Sequence, residues 1–385
     1  MTFALWSSSP EVEEAVRRYE ELNPGINIEI LYKPNEEYRQ HIQLLAASGM
    51  LPDVIVVDRK WLPQFVELGI VRPIDDLVAA DPYLDLESDV TEIVSGTYQG
   101  KFYGIPIWGG VCLMWYNVPM FAENALPRSV DLVKANNWTW DTFLEVGRKL
   151  TADFNGDGQM DRFAIPQVSA SWAPAWAPFV WQAGGDMIGE DGYTILVDSP
   201  ETIAGLQFCV DLMWEYRIAP LPWEKEKVKF YSGTSAMEFG WVATIPGRTM
   251  NFEMDIVMYP AGPAGYYHLA GGCPVAISST TEYVQEAYDF AKWYAMESGL
   301  LTTVASMEVI RNEYLDYLGE WVASPEQVVL AMSHPIKMEP NVHPKGSSLN
   351  SIWSKELNRA FHQEISVEQA VENIVAMIRP ILEEE

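Results

Sequence analysis

The 385-residue sequence has no apolar stretch of the ~18 residues that a membrane-spanning helix needs. That excludes a helical span. Its three cysteines, Cys112, Cys209 and Cys273, lie far apart and show no CxxC or metal spacing. Any bridge would leave one unpaired, and all three read as small buried apolar residues that do not fix the redox compartment. The five histidines, His41, His268, His334, His343 and His362, have no ligand spacing. Positive charge is scarce, with 25 Lys and Arg against 54 Asp and Glu and a net charge of -29. Phosphate neutralisation needs clustered basic side chains, so nucleic acid is excluded as a partner. The acidity reads instead as solubility and self-avoidance. GxSxG, HExxH and P-loop motifs are all missing. No isolated acid stands inside an apolar run of the kind that raises a carboxyl pKa for general-acid work, so no catalysis is expected. Residues 1–10 lack the basic and apolar regions of a leader, and the expectation is an exported protein whose export signal is not part of these residues.

What is present is a core, with 48% hydrophobic and 21% charged residues. The length exceeds that at which one core stops growing, so two domains are expected. No internal repeat and no low-complexity linker is present. The first sixty residues alternate between the two periods. Phe3 to Trp6 reads as a strand. Val12, Val16 and Tyr19 share a helical face behind Ser8, Ser9 and Pro10, and Asn23-Pro24-Gly25 ends that helix. Ile26, Ile28 and Ile30 alternate as a second strand, a helix follows through Tyr38, Ile42 and Leu45, and Val54 to Val57 is a third strand. This βαβαβ order predicts a parallel open sheet that binds ligands beyond the carboxyl ends of its strands. Two such ends are Trp6-Ser7-Ser8 and Asp58-Arg59.

Farther on, Trp61 to Leu68 reads as a short helix. Tyr103 to Pro106 and Val111 to Tyr116 are apolar runs around Gly109-Gly110, suited to a strand passing between lobes through a flexible joint. From about residue 118 the pattern restarts, with helices at Trp140 to Leu150, Thr202 to Tyr216 and Val367 to Ile381. Strands are expected at Asp255 to Tyr259 and Val275 to Ser278.

Several segments together resemble one family. Asn23-Pro24-Gly25-Ile26, Leu51-Pro52-Asp53-Val54, Tyr103-Gly104-Ile105-Pro106, Trp115-Tyr116-Asn117, Gly233-Thr234-Ser235-Ala236-Met237 and Gly271-Gly272 are similar to the extracellular solute-binding proteins of carbohydrate ABC importers. The resemblance implies an α/β, two-lobed type II periplasmic-binding-protein fold, with a hinge and a ligand cleft between lobes crossed three times by the chain. It implies lobes 1–112 plus 269–312 and 113–268 plus 313–385. It also implies an extracytoplasmic location, a carbohydrate ligand and ABC permease subunits as the partner of a monomer.

Sugars present apolar C–H faces ringed by hydroxyls, which calls for aromatic plates and planar polar groups. Among 15 Trp and 18 Tyr, Trp172 and Trp176 lie in a Pro- and Ala-rich stretch that supplies ligand contacts in the family. Trp241 matches the segment where relatives place a stacking Trp. Tyr266, before the second expected crossing, and Trp353, before the last helices, are further candidates. In the first lobe Trp6, Ser8, Asp58 and Trp108 lie at strand ends or beside Gly109-Gly110, and Gly272 belongs to the Gly271-Gly272 pair. A carboxylate such as Asp58 accepts from two hydroxyls at once. Trp138 and Trp140 read as structural, with Thr139 capping a helix. The aromatic count favours an oligosaccharide over a monosaccharide.

Asp153, Asn155, Asp157 and Asp161 place oxygens at positions 1, 3, 5 and 9 of a calcium loop, with Gly158 at 6 and the Gln159 carbonyl at 7. Position 12 is Ala164, without the usual bidentate carboxylate. The expected ion is a structural Ca2+, and no other cofactor is required. Two other readings are a carbohydrate-active enzyme and a carbohydrate-binding surface protein without transport. The latter class is built from small β-sandwiches, whereas this sequence alternates helix and strand.

Overall fold

The computed structural model describes residues 1–7, 9–84, 96–246, 248, 250–298, 314–338 and 343–383, without the side chains of Glu36 and Trp108. The chain divides into two compact units, Met1–Gly110 with Gly271–Tyr314 and Val111–Ala270 with Leu315–Glu385. It therefore passes between them at Gly110/Val111, Ala270/Gly271 and Tyr314/Leu315. Among the described residues no helix is long and apolar enough to cross a membrane.

Unit 1 is built on the expected βαβαβ. Strand β1 (Thr2–Leu5) pairs in parallel with β2 (Glu29–Tyr32) on one side and with β3 (Val54–Val56) on the other. The side-chain period of two sends Phe3, Leu5, Val54 and Val56 into one apolar cluster and Ala4, Ile55 and Val57 into another. Burial on both faces explains why these strands read as continuous apolar runs. The helix Pro10–Leu22 covers the first face with Val12, Val16 and Tyr19. Ser9 caps it by accepting from the Val12 N–H, and Pro10 occupies its first turn. The helix Asn35–Ala47 covers the second face, where the Tyr38 hydroxyl reaches the Ala4 and Val56 carbonyls at 2.9 Å. The second strand begins three residues later than the Ile26–Ile30 alternation predicts. Gly25 turns at φ 105°, the Ile26 N–H bonds the Asn23 carbonyl, and the Ile28 N–H bonds Glu20 Oε1. Residues 26–28 thus belong to the turn.

The two apolar runs flanking Gly109-Gly110 form one strand, β6 (Gly104–Asn117), following the short hairpin β4 (Thr97–Tyr98) and β5 (Lys101–Phe102). In unit 2 its Cys112–Asn117 part pairs antiparallel with β7 (Met237–Trp241) and β8 (Met254–Val257). Strand β9 (His268–Ile277) starts in unit 2, parallel to β10 (Ile336–Met338), and ends in unit 1, antiparallel to β3. The unit 2 core includes Phe239 stacked on Tyr259 at 5.5 Å. It also includes the buried Asp255 carboxylate, which accepts from Arg128, the Tyr116 hydroxyl and the Ser324 N–H and hydroxyl. A buried charge is tolerable only with such partners. Trp138 and Trp140 are structural, as expected. Trp138 donates to the Met258 carbonyl, Trp140 stacks on Phe208 at 3.8 Å, and Thr139 caps the helix Trp140–Leu150.

Candidate ligand-binding site

In unit 1 the carboxyl ends of β1 and β3 lie side by side because the two strands are parallel neighbours. Trp6 follows the first and Asp58 the second, which puts both at the edge where an open sheet binds ligand. Trp6 is half-buried and meets Trp61 and Tyr38 edge-on at 5.4 and 5.2 Å. Asp58 caps the short helix Arg59–Trp61 by accepting from the Lys60 N–H, and its other oxygen pairs with Lys60 Nζ at 3.0 Å. Carboxylate oxygens have two lone pairs each, so both retain capacity for a hydroxyl. Trp61, not singled out from sequence because it reads as part of a helix, is the ring that backs Trp6. Ser8 lies outside the described residues, as does the Trp108 side chain. Gly272 is a buried position of β9 and offers only backbone.

In unit 2 the loop before the 3-10 turn Ala173–Ala175 leaves Trp172 half-buried, whereas Trp176 is 2% exposed. Trp176 heads the helix Ala177–Gln182 and packs inside, which corrects its assignment as a contact ring in this structure. Trp353 needs the same correction. It lies within the helix Gly346–Phe361, not before it, on the face formed by Leu349, Leu357 and Ala360. It is fully buried, with its indole N–H given to Asn350. The ring is core. Trp241, the last residue of β7, is half-buried. Tyr266 is half-buried beside His334, ring centroids 4.7 Å apart, and burial pushes its hydroxyl pKa up.

One residue contradicts the expectation that no acid stands in an apolar run. Glu238 lies in Ala236-Met237-Glu238-Phe239, opposite Trp115 across the β6–β7 pair. Burial pushes its carboxyl up to about 7, against the Phe239 N–H it accepts at 3.0 Å and the more distant charges of Lys229 and Arg248. The signal was in the sequence. Among the described residues, no second carboxylate is among the groups that shift it.

The residues Asp153, Asn155, Asp157, Gln159 and Asp161 share one exposed turn. The Asp153 oxygens accept from the Gly156 and Gly158 N–H groups at 2.7 and 2.8 Å. Asn155 and Asp157 accept from Asp157 and Gln159, and Asp161 accepts from Phe154. The Gly158 N–H is the largest cause of an Asp153 pKa below the usual value. Among the described residues no three His, Cys, Asp or Glu side chains stand close enough to hold a metal ion.

Comparison with known proteins places this geometry. The family described as "Bacterial extracellular solute-binding protein" matches residues 6–299. A maltotriose-binding protein of Pyrococcus abyssi is 20% identical over 338 residues, which is 85% of this chain and 69% of that protein. An arabinooligosaccharide-binding protein of Halalkalibacterium halodurans is 24% identical over 298 residues, which is 72% of this chain and 62% of that protein. An ABC substrate-binding protein from Listeria monocytogenes, solved in complex with cycloalternan, superposes with a TM-score of 0.84 at 18% identity. The superposition covers 99% of this chain and 98% of that one. The likeness gives the fold as the two-lobed, periplasmic-binding-protein type.

Proposed function

Because the chain belongs to the bacterial extracellular solute-binding protein family, we propose that it captures a carbohydrate outside the cytoplasm and delivers it to an ABC permease in the membrane. The observation that carries this reading is the edge of unit 1, where a half-buried indole and a carboxylate stand at adjacent parallel strand ends. An aromatic plate suits the C–H face of a sugar and a carboxylate suits its hydroxyls. Relatives named for maltotriose and arabinooligosaccharide, and a similar fold holding cycloalternan, support an oligosaccharide. Trp172, Trp241 and Tyr266 are the contacts proposed for unit 2.

The mechanism has no chemical step. Sugar held by both units gains contacts that neither supplies alone, which favours a closed form by the difference in binding free energy between open and closed states. The permease would read that closed form of a monomer. Small-angle scattering with and without a saturating glycan tests closure: the radius of gyration falls on binding, and identical profiles contradict the mechanism. A structural calcium ion at residues 153–161 is part of the proposal, supported by five oxygen-bearing residues on one exposed turn.

A further inference from the structure

His268, the first residue of β9, is fully buried, and neither of its ring nitrogens has a hydrogen-bond partner. An unpartnered polar group inside a protein is unfavourable, and a charged one far more so. The ring is held by other rings. His334 and Tyr259 are each 6.2 Å away between centroids, and Tyr266 lies nearly parallel at 6.5 Å. Tyr266 and His334 are half-buried and form the solvent side of the cluster. The titratable groups facing the imidazole are therefore two phenols and a second imidazole. On β10, Lys337 is committed to Asp186 at 2.6 Å and to the Tyr267 ring. None of these contacts offers His268 a carboxylate.

The backbone at this position matters to the chain's course. The His268 N–H bonds the Pro335 carbonyl, and His268, Leu269 and Ala270 pair with Ile336, Lys337 and Met338. The strand then leaves unit 2, and its Val275–Ile277 end pairs with β3 in unit 1. His268 thus sits at the unit 2 end of a strand that belongs to both units.

We propose that His268 is an acid-operated latch: uncharged, its ring seats the start of β9 against β10 and holds the Tyr266 segment, and protonated, it leaves that seat and frees both. Burial first, and His334 second, hold the His268 pKa at about 3. A solvated imidazole titrates near 6.5. Between these values the opened form takes a proton that the closed form refuses. The opening equilibrium therefore rises about tenfold per pH unit below 6.5, or roughly a hundredfold by pH 4.5. Any effect on ligand acts through Tyr266 and rests on the sugar-binding reading. The latch is read without ligand, so the two fail separately.

The test uses the intact chain labelled with 13C-histidine. Below pH 6 the His268 imidazole stays neutral and takes its proton only as amides at 266–270 and 336–338 lose hydrogen-exchange protection, after correction for intrinsic rates. In His268→Phe, which keeps an aromatic ring, protection of those segments no longer depends on pH in this range. Titration of His268 between pH 6 and 7 with those amides still protected, or acid-induced exchange unchanged in His268→Phe, overturns the proposal. Should His268→Phe not fold, the wild-type titration decides alone.

Discussion

The Trp6 ring meets the Trp61 ring edge-on at 5.4 Å, and both rest against Tyr38, whose hydroxyl ties the ends of β1 and β3 together. Three elements thus build one aromatic edge. Trp6 supplies its half-exposed plate, while Tyr38 and Trp61 are buried behind it. Replacing Trp6 by Ala should weaken binding of the cognate glycan about 10- to 100-fold by isothermal titration, as loss of an aromatic anchor does. Unchanged affinity would remove Trp6 from the site.

Trp172 and Trp353 separate contact from packing. Trp353→Ala opens a cavity in the core of unit 2 and should cost about 3–5 kcal/mol of stability in urea unfolding. Trp172→Ala should leave the unfolding midpoint near wild type and lower glycan affinity at least tenfold. The reverse pattern would exchange their roles.

Glu238 makes stability fall with rising pH. Its carboxyl titrates at about 7 in the fold and near 4.3 when unfolded. Between those values the native state holds a proton that the unfolded state has lost. The contribution is full below pH 4 and is lost as pH rises through 7. Glu238→Gln should therefore raise the melting temperature at pH 8 relative to wild type, with the gain shrinking towards pH 5. A pH-independent difference would show that burial does not govern this carboxyl.

Calcium at residues 153–161 is tested by chelation. Chelated protein should gain a few degrees in melting temperature when millimolar calcium is added, because a ligand of the native state stabilises it by mass action. Asp153→Ala should abolish the increment. An unchanged melting temperature after chelation, with no metal found by elemental analysis, would leave the amide-bonded turn as the complete account of the loop.

The sheet of unit 1 was legible because burial on both faces wrote itself into Val54 to Val57, and because Ser9, Pro10 and Gly25 mark chain reversals by local chemistry. Trp140 to Leu150 was legible from the Thr139 cap and its apolar spacing. Trp353 was misread for lack of helix phase. Leu349, Trp353, Leu357 and Ala360 repeat at helical intervals, but sequence alone did not show that this face is buried. Trp176 shares its Pro- and Ala-rich stretch with Trp172, and composition cannot tell an anchor from a plate four residues away. Glu238 stands out in Ala236-Met237-Glu238-Phe239 as a single acid among apolar residues, but the burial that shifts its pKa comes with the packing of β7, which is a tertiary fact. The approach of His268, His334 and Tyr266 likewise depends on β9 lying parallel to β10.

The central claim is glycan capture without chemistry, and a thermal-shift screen of the purified chain against mono-, oligo- and polysaccharide fragments tests it most directly, with reducing ends assayed in the same mixtures. The account predicts a rise of several degrees with one oligosaccharide series and no new reducing ends. No shift with any glycan, or the appearance of new reducing ends, would contradict it.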